Sequence, residues 1–465
     1  MRSADDHRVP PTRTDPKGVR VNGIKLNRRR LLTGAAAATA GLALSGCVGR
    51  SLGDYSQVSG QVPPKFARRD RVVVWSAFTS HNAEILQAIV DGFNASQQDI
   101  FCEIQLFPGY DALDSKLAAS LTSEQIPDIV TLSDVSWNRY FLAETLEPLS
   151  GYFDAAFTPD EFHPRFLAEG TIRDEIYWLP WARSTPLFYY NKDIFAAAGL
   201  PDRGPETFTE LREWGKQLKG FTYKGAKVKM RGYTGADDWY FQGSSWAFGG
   251  GYSDGMIPKL DSEETISSLE FDRAFIHDDQ MAYLASSING DFAAGVTATI
   301  CNSTGALTSL LAAAEFDVGA AFLPVQEKPG VPTGGSGLAV LRNSTSARKK
   351  TAWEVIKYLA DKGAPDWSLG TGYLPVTKSA INSPKIKARN AKTPAYQVAQ
   401  DQLDRARTPD IMRRYVNETI AEMQIALQKV YASDADPGDV LHEVVRVLEP
   451  AIKQTLPKYQ RLVAG

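Results

Sequence analysis

The chain has 465 residues, 43% of them hydrophobic and 23% charged, with a net charge of −3. This is the composition of a globular protein, and the length exceeds one ordinary core and predicts two lobes. The near-neutral charge argues against nucleic acid as a partner, so each arginine is read as a local device.

In chain order the first feature is residues 27–47, NRRRLLTGAAAATAGLALSGC. Arg28-Arg29-Arg30-Leu31-Leu32 has the form of a twin-arginine export signal. The alanine-rich run that follows, about fifteen residues, is too short to span a bilayer. Leu44-Ser45-Gly46-Cys47 has the form of a bacterial lipobox. Together they predict a signal peptide over 1–46, acylation of Cys47, and a mature chain held by lipid on the extracytoplasmic face of the cell membrane. Residues 47–69, rich in Gly, Ser, Gln and Pro, read as a flexible tether.

Order is predicted from the β-branched run RVVVW at 71–75, followed by a helix over 83–93, a strand over 101–107, a helix near 113–121 and a strand over 127–132. Strand and helix alternating with short connections predict an α/β architecture with a parallel sheet. Ligands of such sheets bind beyond the carboxyl ends of the strands, which singles out the loops at 75–79, 108–111 and 133–137. Residues 181–192, WARSTPLFYYNK, are aromatic at both ends with small polar residues between, as for a chain leaving one lobe and entering another. The glycine-rich stretch 333–337 before an apolar strand predicts a second crossing.

Catalytic signatures are missing. His81, His163, His277 and His442 are scattered, and His442-Glu443 lacks the second histidine of a zinc-protease helix. There is no G-x-S-x-G elbow, and Gly334-Gly335-Ser336-Gly337 lacks the lysine of a phosphate loop. A pair of carboxylates assembled in space as in a glycosidase is the enzymatic reading left open. Otherwise the chain reads as a binder needing no metal or cofactor. Cys102 and Cys301 read as two buried free thiols unless the fold brings them together.

Several segments resemble the extracytoplasmic solute-binding proteins of ABC importers, in the maltose-binding-protein-like group. They are WARSTPLFYYNK at 181–192, AGLPDRGP at 198–205, FQGSSWAFGGGYSD at 241–254, PTGGSGLA at 332–339 and TGYLPVTKSA at 371–380. Within that group the chain is most similar to the UgpB type, which binds glycerol 3-phosphate or glycerophosphodiesters such as glycerophosphocholine. The resemblance implies a two-lobe periplasmic-binding-protein type II fold with a small-molecule ligand clamped between lobes, and ABC permease subunits as partners. It also implies a monomer. The lobes would comprise 70–182 with 336–378, and 183–335 with 379–465. A neutral di- or oligosaccharide is the alternative ligand.

Carried over residue by residue, the resemblance places Tyr110 and Asp134 on the glycerol hydroxyls, Ser184 at the crossing, and Trp239 as a packing aromatic. Ser303, Gly335 and Tyr373 would hydrogen-bond the phosphate-bearing end, and Arg413 would pair with the phosphate. The family's loop after this arginine is replaced by a helical continuation, RRYV. Each residue also has a plainer reading: Asp134 as a helix cap, Tyr110 and Trp239 as core, Gly335 as a turn of positive φ. Ser303 would begin a helix, and Arg413 would share a solvated face with Arg405, Arg407 and Arg414.

Overall fold

The computed structural model describes residues 54–234 and 237–464. The export signal and Cys47 lie outside the described residues. The run 71–75 becomes the strand Asp70–Ser76, paired in parallel with Ile100–Leu106 on one side and Ile129–Ser133 on the other. The helix between the first two, Ser80–Ser96, buries Leu86, Ile89, Val90 and Phe93 at helical spacing against this sheet. Gly334–Val340 then pairs antiparallel with Ile129–Ser133, and Leu179–Ser184 pairs antiparallel with Gly334–Val340. The first lobe is thus a five-stranded mixed sheet into which a strand from far along the chain is inserted.

The second lobe has its own five-stranded sheet. Its order is Ala282–Leu284, Lys229–Tyr233, Thr297–Ser303, Pro186–Asn191, Val318–Ala321. Only Thr185 separates the last strand of the first lobe from Pro186–Asn191 of the second. The return crossing is at Thr333, between Val331–Pro332 and Gly334–Val340. Ala380 and Ile386 still pack in the core of the first lobe, and the helix Pro394–Asp401 packs on the strand Val318–Ala321. The third passage therefore comes after residue 386, later than the expected boundary at 378.

The tether reading of 47–69 needs correction from Tyr55 onward. Ser56–Gln57 adds a parallel two-residue pairing to Gln125–Ile126, Val58 is buried, and Phe66 stacks on Phe101 with ring centroids 4.7 Å apart. The cause is a buried carboxylate. Asp128 accepts from Val73 N at 2.8 Å, from Arg348 Nε at 2.7 Å and from Gln57 Nε2 at 2.5 Å. Arg348 also donates to Tyr55 O at 2.9 Å. A polar composition conceals such strapping, because the contacts are backbone pairs and partners for one buried charge.

Cys102 and Cys301 lie in different lobes, both buried and both free. Burial pushes both thiols up, that of Cys301 to about 11 and that of Cys102 higher still. Neither is expected to react with iodoacetamide at pH 8 in the folded protein, while both should be alkylated in urea. Mass spectrometry before and after unfolding checks this, and labelling of either thiol in the folded protein would show an open core.

Candidate functional site

The loop after Ile129–Ser133 is drawn in by its own polar groups. Asp134 N donates to Gly335 O at 2.9 Å, and Ser133 and Ser136 bond each other. The helix Ser136–Leu142 follows, and its cap residue is Val135, so the Asp134 carboxylate is not spent on capping. That carboxylate is 9% exposed, and its Oδ2 lies 3.7 Å from Arg413 Nη1 without a hydrogen bond. Burial raises its pKa, against the pull of two guanidiniums, Arg413 first and Arg183 second.

Arg413 comes from the other lobe, on the short helix Ile411–Tyr415. The expected helical continuation of the segment is present, but Arg413 is buried at 6% exposure, not on a solvated face. Its Nε donates to Asp238 Oδ2 at 2.7 Å, and its Nη1 has no hydrogen-bond partner. Burial works against the charged guanidinium, yet Asp238 and then Asp134 outweigh it, and the arginine is held charged with a raised pKa. Arg414 reaches back across the lobes to Asn138 Oδ1 at 3.2 Å and Glu169 O at 3.4 Å. Farther out, Arg461 near the chain's end pairs with Glu144 at 2.9 Å, and Arg173 donates to Arg461 O at 2.7 Å.

The remaining candidates surround the two crossings. Tyr110 opens the helix Tyr110–Ser123 after Gly109, whose φ is +105°. It is half-buried beside Ser336, and burial pushes its phenol up to about 12, leaving a neutral hydroxyl to donate. Trp239 stands in the first turn of Asp238–Ala247, a helix capped by Asp237 accepting from Tyr240 N. Its Nε1 donates to Thr333 O at 2.9 Å, and its ring lies on Gly334, where a Cβ would come within 2.5 Å. Ser184 is buried opposite Gly334 in the sheet. Gly335 has φ +99°, and a Cβ there would sit 2.0 Å from Ala182 O, so the turn and the close approach both demand glycine.

Tyr373 stacks on Trp367 with centroids 5.5 Å apart, and its ring covers Gly305 of the second lobe, where a Cβ would meet it at 2.7 Å. Ser303 ends its strand and accepts from Gly305 N at 3.0 Å, so the cap reading holds for its hydroxyl. Seven of the eight residues fall into three groups, and Tyr110 stands beside Ser336. Asp134 and Arg413 face each other across the lobes, with Gly335 tied to Asp134 through the backbone. Tyr373 and Ser303 meet at Gly305, while Trp239 and Ser184 flank Gly334.

Four charged residues were missed. Asp238 anchors Arg413, Arg414 bridges lobes, and Glu169 pairs with Arg183. Only Arg183 left a signal, a charge inside an otherwise apolar crossing strand. Among the described residues there is no cluster of three or more His, Cys, Asp or Glu able to hold a metal, and no helix long and apolar enough to cross a membrane.

This architecture, two sheets joined by short crossing segments with charged and aromatic groups between them, defines a solute-binding protein of the type II fold. The family model for bacterial extracellular solute-binding proteins matches residues 88–394, and the chain belongs to that family. More particularly, it is 32% identical to UgpB from Mycobacterium tuberculosis, solved in complex with glycerophosphocholine. The TM-score is 0.76 over 83% of this chain and 99% of that one. It is 24% identical over 358 residues to the sn-glycerol-3-phosphate-binding periplasmic protein UgpB of Pectobacterium atrosepticum, covering 71% of this chain and 78% of the relative. The cyclic alpha-maltosyl-1,6-maltose binding protein of Arthrobacter globiformis shares the fold, with 23% identity and a TM-score of 0.70 over 83% of this chain and all of that one.

Proposed function

We propose that the chain captures a phosphorylated polyol, glycerol 3-phosphate or a glycerophosphodiester such as glycerophosphocholine, and delivers it unchanged to an ABC permease. The observation that carries this reading is the Arg413 guanidinium, buried between the lobes with one edge held by Asp238 and an unpaired N–H on the other. A planar guanidinium so placed donates to a phosphate oxygen in a dry cleft, where the hydrogen bond is charge-assisted. The 32% identical relative solved with glycerophosphocholine supports the choice of ligand.

In this reading Tyr110 and Asp134 hold the glycerol hydroxyls, and Trp239 and Ser184 cover the polyol beside the crossing. Ser303, Gly335 and Tyr373 serve the phosphate-bearing end. Ligand contacts from both lobes favour the closed form, which the permease recognises. No bond of the ligand is made or broken. The protein acts as a monomer, anchored through acylated Cys47 on the extracytoplasmic face.

A neutral di- or oligosaccharide is the second reading, favoured by one observation: Arg413 already faces two carboxylates. Calorimetric titration with glycerophosphocholine, glycerol 3-phosphate and trehalose separates the two. Heat from a phosphate compound alone is the expected result, and binding of trehalose alone would overturn the assignment.

A further inference from the structure

Arg183 sits in the crossing strand Leu179–Ser184 and is fully buried. Across the sheet, Leu338 pairs with Leu179, Gly337 with Pro180, Ser336 with Ala182 and Gly335 with Arg183, which leaves Trp181 as an extra residue. Such a bulge reverses the alternation of the strand. Trp181 turns to the outer core, where it stacks on Trp367, while Arg183 turns to the side of Trp178. Its guanidinium lies 4.8 Å over the Trp178 ring and ion-pairs through Nη2 with Glu169 Oε2. Its Nε and Nη1 have no hydrogen-bond partner.

A guanidinium committed only to the fold would have those N–H groups satisfied, because native interiors rarely leave buried donors unpaired. Its neighbours are the candidate site: Gly335 stands opposite it in the sheet, and Leu374, next to Tyr373, donates its N–H to Arg183 O at 2.8 Å. The carboxylate of Asp134 lies within the field of both Arg183 and Arg413. Arg413 of the second lobe approaches that carboxylate to 3.7 Å, and Arg183 of the first stands across the sheet from Gly335, whose carbonyl accepts the Asp134 N–H.

We propose that Arg183 is a second ligand-binding guanidinium, supplied by the first lobe, which donates one of its unpaired N–H groups, at Nε or Nη1, to an anionic oxygen of the ligand. The proposal rests on the phosphorylated-ligand reading above. Glu169 is then a positioning residue that fixes the guanidinium over Trp178 through Nη2 and leaves Nε and Nη1 to donate elsewhere.

The test uses Arg183→Lys, which keeps the charge and removes the fork, and the double change Arg183→Gln with Glu169→Gln, which neutralises the pair together. Affinity for glycerophosphocholine is measured by calorimetry, and melting temperature is measured with and without that compound. Expected is a roughly tenfold to hundredfold loss of affinity in Arg183→Lys. Its ligand-free melting temperature should stay near that of the unaltered protein, while the ligand-induced rise shrinks. Affinity within twofold in both variants overturns the inference, as does a lowered ligand-free melting temperature with the ligand-induced rise intact. If the unaltered protein binds trehalose and no phosphate compound, the functional reading falls first and this inference with it.

Discussion

Arg413→Ala is expected to abolish measurable binding of glycerophosphocholine and to cost the ligand-free protein about 3–5 kcal/mol, the usual penalty for removing one partner of a buried ion pair. The two losses have one origin. Arg413 holds Asp238 through Nε at 2.7 Å and faces Asp134 at 3.7 Å, so its removal strands two buried carboxylates. Asp134 is already raised by burial, with Arg413 the larger of the two charges opposing that rise. In the variant it should rise further. A carboxylate whose folded pKa lies above its unfolded value stabilises the fold most when both states are protonated, and that stability is lost as pH climbs through the folded value. The deficit of Arg413→Ala should accordingly be largest at neutral pH and shrink as pH falls toward the ordinary carboxylate value near about 4. Urea unfolding of both proteins at pH 7 and pH 5 measures it. An equal deficit at the two values would show that Asp134 does not carry the effect.

Gly335→Ala should be the most damaging small change at the second crossing, at about 3 kcal/mol. Two terms add. A side chain at φ +99° carries a left-handed strain of roughly 1–2 kcal/mol, and a Cβ 2.0 Å from Ala182 O forces the two strands apart, with overpacking of about 1–3 kcal/mol. Gly220→Ala isolates the first term, because Gly220 has φ +79° with nothing within 4 Å of the added carbon. The difference in urea midpoint between these two variants reads the close approach alone. Equal losses would mean that the crossing strands yield easily there. Since Gly335 O also receives the Asp134 N–H, Gly335→Ala is expected to weaken ligand binding beyond its effect on stability.

How far the sequence could be read depended on whether the determining partners were local. The strands at 71–75 and 127–132, the intervening helix and the crossing at 181–192 announce themselves because periodicity and composition act over a few residues. The strapping of residues 55–58 onto Asp128 was hidden, because Gln57 meets a carboxylate 71 positions away. The Asp238–Arg413 bond joins residues 175 apart and leaves no trace in either neighbourhood. For Arg413 a helical segment and three nearby arginines suggested a solvated face, and only the packing of Ile411–Tyr415 against Ser136–Leu142 turned it inward. Arg183 stands as a charge in an apolar strand, but its direction depends on a bulge formed against a strand from far along the chain.

The single residue between the two sheets has a mechanical consequence. Thr185 is buried, its carbonyl receives Thr304 N at 2.9 Å, and its hydroxyl receives Gln402 Nε2 at 3.2 Å. A joint so short and so pinned has no slack, so the jaws cannot slide apart; they can only pivot. Groups near the pivot, Gly334 and Trp239 among them, travel little, while the ion pair between Arg461 and Glu144 must break for the jaws to part. Leverage of this kind turns a few degrees at Thr185 into the width of a doorway.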